Sequence, residues 1–312
     1  MRILITGPTS FTGAFFIEAL AQAGHEVHAT STQSLSSYTG VRRLRAIKSQ
    51  THADIHQGVK FGDEQFLRLV KRERFDVYCH HGAWTKDYRG MKYDFETAFV
   101  SNTRSIDKVC RLLSENGCRK IIVSSSIFER AKPLFSPYGL IKKLTTETVE
   151  FYGTRFGLHV SKFVIPNPFG PLDNAKLIDY LGREWQANRT PCIQTPLYVR
   201  DNIPVDLLAL GFADWADKCP DTVGTSECRP SGYVSNMEEF VERVAVAFRT
   251  RLNLDCAVDM AEQQDFSQPI TLVNDMPLQD MFLDWNEKEF WDALIAHQLQ
   301  MYDYRQGVSL EG

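Results

Sequence analysis

The stretch Met1-Arg2-Ile3-Leu4-Ile5-Thr6-Gly7-Pro8-Thr9-Ser10-Phe11-Thr12-Gly13 decides how the chain folds. Ile3-Leu4-Ile5 is a short apolar run without alternation, as expected of a strand covered on both faces, and Gly7-Pro8 ends it. From Gly13 to Ala23 the residues Ala14, Ile17, Leu20 and Ala21 fall on one helical stripe, and Gly24 stops it. The same succession continues downstream. Further strands are expected at Val27 to Thr30, Val59 to Phe61, Val77 to His80, Ile121 to Ser124 and Val160 to Ile165. Helical patterns lie between them at Glu64 to Arg74, Thr97 to Glu115 and Tyr138 to Phe156. Strands alternating with helices imply an α/β fold with a doubly wound parallel sheet. After Pro166 prolines cluster and the alternation fades. The reading therefore divides the chain into a sheet-forming domain, 1–165, and a smaller region, 166–312, some segments of which return to the sheet.

Composition sets the outer limits. The chain has 312 residues, 43% hydrophobic and 24% charged, which excludes disorder, collagen-like repeats and coiled coil. Its 35 basic and 39 acidic residues leave a formal charge of -4, so nucleic acid is not an expected partner. The seven cysteines are scattered, with no CxxC pair and no metal-ligand spacing to a histidine, which predicts reduced thiols and no metal. No run of about 20 apolar residues offers a membrane span. Thr6 to Ser10 interrupts any signal-peptide core, so a cytoplasmic location is expected.

The glycine turn carries the first chemical reading. Between a strand and a helix, such a turn brings the helix N-terminus to a dinucleotide pyrophosphate, where free N–H groups and the helix dipole favour negative charge. Gly7 permits the tight turn and Gly13 close helix–strand packing, with Thr9, Ser10, Phe11 and Thr12 between them. Ser10 stands where the middle glycine usually falls, and its hydroxyl is a candidate phosphate ligand. At the end of the second strand Thr30-Ser31-Thr32 replaces the carboxylate that holds the ribose in NAD enzymes. Arg42 and Arg43 follow and suit a 2′-phosphate, although a solvated helix face shared with Arg45 and Lys48 explains them equally well. NADP(H) is the favoured cofactor and NAD(H) the alternative.

The second reading comes from Ser124-Ser125-Ser126 at a strand end and Tyr138-Gly-Leu-Ile-Lys142 at the next helix. At i,i+4, Tyr138 and Lys142 share one helical face. The lysine charge is expected to lower the phenol pKa, so that Tyr138 exchanges a proton with an alcohol or ketone while hydride moves. A serine hydroxyl steadies the developing alkoxide. Tyr88 and Lys92 repeat the spacing without a serine-ended strand, and Lys92 reads as a surface residue.

With these pieces in place, the chain resembles the extended short-chain dehydrogenase/reductases of the nucleotide-sugar epimerase/dehydratase type over nearly its full length. The resemblance adds Phe61-Gly62-Asp63, Asp76 to Ala83, Ser101-Asn102-Thr103, Asn167 to Pro171 and Val199 to Val205. It implies a Rossmann-type fold, with Asp63 at the adenine, His81, Gly82 and Ala83 along the cofactor phosphates, and Pro166 and Phe169 beside the nicotinamide. It further implies Asn167 and Arg200 as holders of a substrate nucleotide diphosphate, and a homodimer formed through the Thr97 and Tyr138 helices. The segment before Tyr138 is short, so counting from one side selects Ser126 and from the other Ser124; both share one side of the strand and Ser125 faces away.

Among the family's reactions, dehydration is disfavoured, because Ile127 and Phe128 follow the serines and leave only Glu129 as an acid. The missing strand-end carboxylate favours an NADPH-dependent 4-ketoreductase acting on a nucleotide-linked sugar, with Tyr138 as proton donor, Lys142 its electrostatic partner and Ser126 the carbonyl orienter. The alternatives are an NAD-dependent 4-epimerase and a non-catalytic NADP-binding sensor or scaffold.

Overall fold

In the computed structural model, residues 1–305 other than 89, 91 and 175 are described. The first strand, β1 (Arg2–Thr6), leads into α1 (Phe11–Gln22) and then β2 (Glu26–Ser31). Next come α2 (Gly40–His52), β3 (Asp54–Gln57), α3 (Glu64–Arg72) and β4 (Val77–His80). The pattern continues through α4 (Phe95–Thr103), α5 (Ile106–Glu115), β5 (Lys120–Ser126), α6 (Pro137–Arg155) and β6 (His159–Ile165). These strands form a parallel sheet in the order β3-β2-β1-β4-β5-β6, extended at β6 by the later strand Gly224–Cys228. The order reverses between β1 and β4, the crevice where doubly wound sheets bind ligands at the strands' carboxyl ends.

Two cores cover the sheet. Ile3 and Ile5 of β1 point to a layer built by α1 and the helix Val205–Lys218, where the Phe16 and Phe212 rings stack at 4.0 Å. Leu4 points to the other layer, with Phe66 of α3 and Val109 and Leu113 of α5. Residues 205–228 thus supply one more helix and strand to the main sheet. A third core, separate from both, joins the helices Leu177–Gln186, Met237–Leu252 and Glu287–Arg305 around Leu181, Trp185, Phe248 and Trp291.

Two expected elements differ. The third strand lies at Asp54–Gln57 rather than Val59 to Phe61; Val59 only donates its N–H to the Ser31 carbonyl. An edge strand buries little, and Asp-Ile-His-Gln lacks the apolar run by which inner strands are recognised. The helix expected from Thr97 to Glu115 breaks at Ser105, whose φ is 50°. The break pushes the Arg104 carbonyl against Gly62, where any Cβ would collide with it.

Among the described residues no helix is long and apolar enough to cross a membrane. All seven cysteines are free, and all but Cys192 are buried.

Candidate active site

At the end of β1 the chain turns sharply, with Gly7 at φ +81°, where a Cβ would lie 2.9 Å from the Gly82 Cα. A side chain on Gly13 would strike the Gly7 carbonyl. Both glycines therefore let the turn close onto the loop after β4. The first N–H groups of α1, at Phe11 and Thr12, have no acceptor within the helix and are free for an anion. Backbone N–H groups at such a turn are the chemistry a dinucleotide pyrophosphate requires.

Ser10 takes a different part from the one expected. Its Oγ accepts the Gly13 N–H at 3.1 Å, donates to the Gly7 carbonyl at 2.9 Å and lies 2.9 Å from His81 Nε2. The hydroxyl is thus committed to capping α1, the common fate of serine at this position. Thr12 Oγ1 is 3.3 Å from the same nitrogen. On its other side, His81 Nδ1 is 2.7 Å from Ser124 Oγ. One buried imidazole therefore bridges the glycine turn and the serine strand. Burial pushes its pKa down to about 3, helped by Lys142 and His80, so the ring stays neutral. The Thr6 hydroxyl accepts the backbone N–H groups of His81 and Gly82, at 3.0 and 2.7 Å, and Ala83 follows half-buried.

At the end of β2, Thr30 and Ser31 are buried. Arg42 Nε donates to Thr9 Oγ1 at 3.1 Å, and its guanidinium lies 4.5 Å from the centre of the Tyr38 ring. Tyr38 Oη is 3.2 Å from Ser31 Oγ. Burial pushes the Tyr38 phenol up, but hydrogen bonds from Ser31 and Thr32 and the Arg42 charge outweigh it and hold the phenol below its ordinary value. The other basic residues of α2 are occupied elsewhere. Arg43 donates to the Leu35 carbonyl, Arg45 to the Leu172 carbonyl and Asn174, and Lys48 pairs with Glu18. Arg45 also lies over the Phe11 ring, at 5.7 Å, but of these four Arg42 is the one that donates a hydrogen bond to the glycine turn.

Tyr138 opens α6, whose N-cap is Ser136 and whose first residue is Pro137, which fixes the tyrosine in the helix's first turn. The ring packs against Tyr88 at 5.0 Å, Tyr93 at 6.2 Å and Phe128 at 6.3 Å between centroids. Burial raises the phenol pKa, and Tyr88, Tyr93 and Glu129 push it the same way. The expected lowering by Lys142 is not what this arrangement provides. Lys142 is buried, its Nζ donates to the Ser124 carbonyl at 2.7 Å, and burial brings its pKa down to about 8 against the opposing pull of Glu129. The lysine is held by strand β5 rather than turned toward the phenol's charge.

All three serines are buried. Ser124 Oγ meets His81, Ser126 Oγ accepts the Phe128 N–H at 3.3 Å, and Ser125 Oγ is left without a partner among the described residues.

Three residues expected at ligands are engaged otherwise. Asp63 caps α3, accepting the Phe66 N–H at 2.8 Å. Phe169, expected beside the nicotinamide, is a core residue. Its ring is 5% exposed and lies among Tyr233, Phe240, Phe290 and Trp291, because the strand Asn167–Phe169 docks on the third core. Pro166 beside it is also buried. Arg200 donates to the carbonyls of Val199, Pro269 and Ile270 and to Gln268, with its guanidinium 4.3 Å from the Tyr198 ring centre. A phosphate would have to displace that set. Asn167 donates to Asn202 Oδ1 at 2.5 Å and borders a cleft that Lys176, Tyr180, Arg183 and Met237 also line.

Sequence reasoning missed Tyr38, Tyr88, Tyr93, Lys176 and Arg183. Tyr88 stood in view as the second tyrosine with a lysine four residues on. Lys92 is indeed exposed, yet Tyr88 reaches the Tyr138 ring.

A parallel sheet with this strand order, a glycine turn at β1 and a serine strand facing a Tyr-Lys helix defines the extended short-chain dehydrogenase/reductase class. A model of the NAD dependent epimerase/dehydratase family matches residues 3–202, and the chain belongs to that family. It is accordingly an NAD(P)-dependent enzyme of that class. No curated protein matches the sequence. Solved structures share the fold. A variant of the UDP-glucuronic acid 4-epimerase from Bacillus cereus, in complex with a fluorinated UDP-sugar and NAD, is 14% identical at a TM-score of 0.76, covering 97% of this chain and 100% of that one. The UDP-N-acetylglucosamine 4-epimerase from Methanobrevibacter ruminantium M1 gives 17% and 0.72, covering 97% and 98%. The dTDP-glucose 4,6-dehydratase DesIV from Streptomyces venezuelae gives 17% and 0.70, covering 98% of each chain.

Proposed function

We propose that this enzyme carries out reversible oxidation and reduction at a hydroxyl-bearing carbon of a nucleotide-linked sugar, with 4-epimerisation as its net reaction. The observation that carries the reading is that His81 bridges the glycine turn to Ser124, whose carbonyl accepts from Lys142, one helical turn after Tyr138. The full-length likeness to nucleotide-sugar 4-epimerases supports it. A bound nicotinamide dinucleotide would supply the hydride acceptor and donor. The N–H groups at the start of α1 would hold its pyrophosphate. In its ionised form Tyr138 takes the proton of the sugar hydroxyl as hydride leaves the carbon. In the reverse half it returns that proton to the oxygen as hydride comes back, while Ser126 or Ser124 hydrogen-bonds the oxygen that gains charge. Lys142 supplies positive charge one helical turn from the phenol while it stays protonated. Asn167, Lys176 and Arg183 suit the substrate's diphosphate in their cleft, where it would compete with Asp173 for Lys176 and with Asp179 for Arg183.

NADPH-dependent ketoreduction is the second reading, and one observation favours it. Arg42 stands beside Thr9 and the carboxylate-free end of β2, as a 2′-phosphate requires. A homodimer through α4, α5 and α6 belongs to the same proposal, supported by the exposed apolar side chains Val100 on α4 and Leu140 and Phe151 on α6. A cytoplasmic location agrees with the free cysteines.

The test is a panel of nucleotide sugars and nucleotide 4-ketosugars. Interconversion of C4 epimers without added cofactor, and NAD released on denaturation, is the expected result. Stoichiometric NADPH consumption with a ketosugar instead establishes the reductase. Tight dinucleotide binding with neither reaction identifies a sensor and defeats both readings. In parallel, Arg42→Ala is expected to weaken NADPH binding roughly tenfold or more while changing NADH binding little, the loss of a charge-assisted hydrogen bond. An unchanged ratio of the two affinities would remove Arg42 from the cofactor site.

A further inference from the structure

The outer edge of the sheet carries a group of side chains that redox chemistry does not use. β2 and β3 pair in parallel, with His28 opposite Asp54 and Thr30 opposite His56. Paired residues share a face and alternate positions return to it, so His28, Asp54 and His56 stand on one side of the sheet. Val27 and Ala29 point the other way, into the core with α1.

The ligand atoms converge. His28 Nδ1 is 3.2 Å from His56 Nε2 and 3.6 Å from Asp54 Oδ2, and all three atoms lie within 4.8 Å of one another. A tetrahedral ion bound at about 2.0–2.1 Å spaces its ligand atoms roughly 3.3 Å apart, between the two measured separations. The third side of the triangle closes by rotation of the Asp54 side chain, which is 70% exposed. The imidazoles lie nearly parallel, 17° between planes and 5.4 Å between centroids.

The support behind the ligands is also present. Glu26 Oε1 lies 2.8 Å from His28 Nε2, the carboxylate partner that fixes the tautomer and leaves the Nδ1 lone pair for an ion. Arg2 Nε in turn donates to the same Glu26 oxygen at 2.9 Å. The Phe75 ring stands edge-on to His28 at 5.4 Å and shields that side. His28 is thus rigid and buried, His56 half-buried and Asp54 exposed, which leaves a fourth position open to solvent.

We propose that His28, His56 and Asp54 bind one divalent transition-metal ion of the zinc class, with Glu26 as the outer partner. Two imidazoles and one carboxylate suit Zn²⁺ and its neighbours; Mg²⁺ and Ca²⁺ take oxygen shells. The ion ties the edge strand β3 to β2, and because only the folded chain assembles the site, binding stabilises the fold by mass action. The site stands apart from the redox residues and independently of the reaction they perform.

The experiment uses the full chain, without a polyhistidine tag and stripped with chelator. It is titrated with ZnCl2 by calorimetry and with CoCl2 by visible absorption. One Zn²⁺ per chain is expected, with a Co²⁺ spectrum free of thiolate charge-transfer bands. At a metal concentration about one hundred times Kd the melting temperature rises by roughly 3–6 °C. His56→Ala and Asp54→Asn, at accessible positions, should abolish saturable binding and the thermal shift while keeping the metal-free circular dichroism. Glu26→Ala should weaken binding at least about tenfold. Absence of stoichiometric binding, binding unchanged in both His56→Ala and Asp54→Asn, or a thiolate band each overturns the proposal; in the first case the two histidines form a hydrogen-bonded pair only.

Discussion

Replacing Tyr138 by Phe lowers kcat by about 10²–10⁴-fold with little change in folding or ligand affinity. That range is what a positioned general acid–base group contributes. The substitution removes one oxygen and keeps the ring, so packing against Tyr88, Tyr93 and Phe128 survives. Unchanged thermal stability and cofactor affinity would show that the loss is chemical. Ser126→Ala and Ser124→Ala are expected to reduce kcat as well, each by about 10-fold or more if its hydroxyl stabilises the developing charge. Ser124→Ala also frees the His81 Nδ1 partner and loosens the bridge to Ser10, so part of its effect should appear in cofactor affinity. Ser125→Ala should be silent or slightly stabilising, because its buried hydroxyl is unpartnered among the described residues. A Tyr138→Phe enzyme of near-normal rate would remove the phenol from the chemistry. A Ser125→Ala enzyme that alone lost activity would reverse the assignment of strand faces.

The second large effect concerns stability. Burial lowers the Lys142 pKa from 10.5 to about 8. Below pH 8 the lysine is protonated in both folded and unfolded chains, and the full unfavourable contribution of a buried charge is present. Between pH 8 and 10.5 the unfolded chain still binds the proton that the folded chain has released. Stability therefore rises with pH through this window, by up to about 3 kcal/mol at 1.36 kcal/mol per pKa unit. Lys142→Met removes that rise. Denaturant unfolding of both proteins at pH 7 and pH 10 should show the wild type gaining about 2.5 kcal/mol relative to the variant. The variant also leaves the Ser124 carbonyl without its donor, which shifts its stability at both pH values alike. Only the difference between the two pH values isolates the titration. Parallel pH curves for the two proteins would mean that Lys142 keeps an ordinary pKa. Glu129→Gln, which removes the opposing negative charge, should move the start of the rise below pH 8.

The phenol and the lysine illustrate how far local sequence reaches. Their shared helical face follows from spacing alone, and α6 begins one residue before Tyr138, as the pattern requires. The electrostatics did not follow from spacing. Lys142 is held by a carbonyl of β5, and the residues that set the Tyr138 pKa, Tyr88, Tyr93 and Glu129, come from other segments. Likewise, the turn glycines announced themselves, whereas the commitment of Ser10 to His81 and Gly13 required the loop after β4 to be in place.

The linear sequence by itself determined the alternation of strands and helices, apart from the place of the third strand and the break at Ser105, and with it the parallel sheet, the glycine turn and the Tyr138–Lys142 face. Each of these rests on periodicity and turn chemistry within a few residues along the chain. Only the tertiary structure decided that Arg42 hydrogen-bonds Thr9 of the turn, that Ser124 faces His81, that Phe169 is core and that Arg200 is spent on carbonyls. It also brought His28 and His56 together across two strands. These outcomes depend on which distant segments pack together, and a long polar or aromatic side chain goes where burial and unpaired backbone groups draw it.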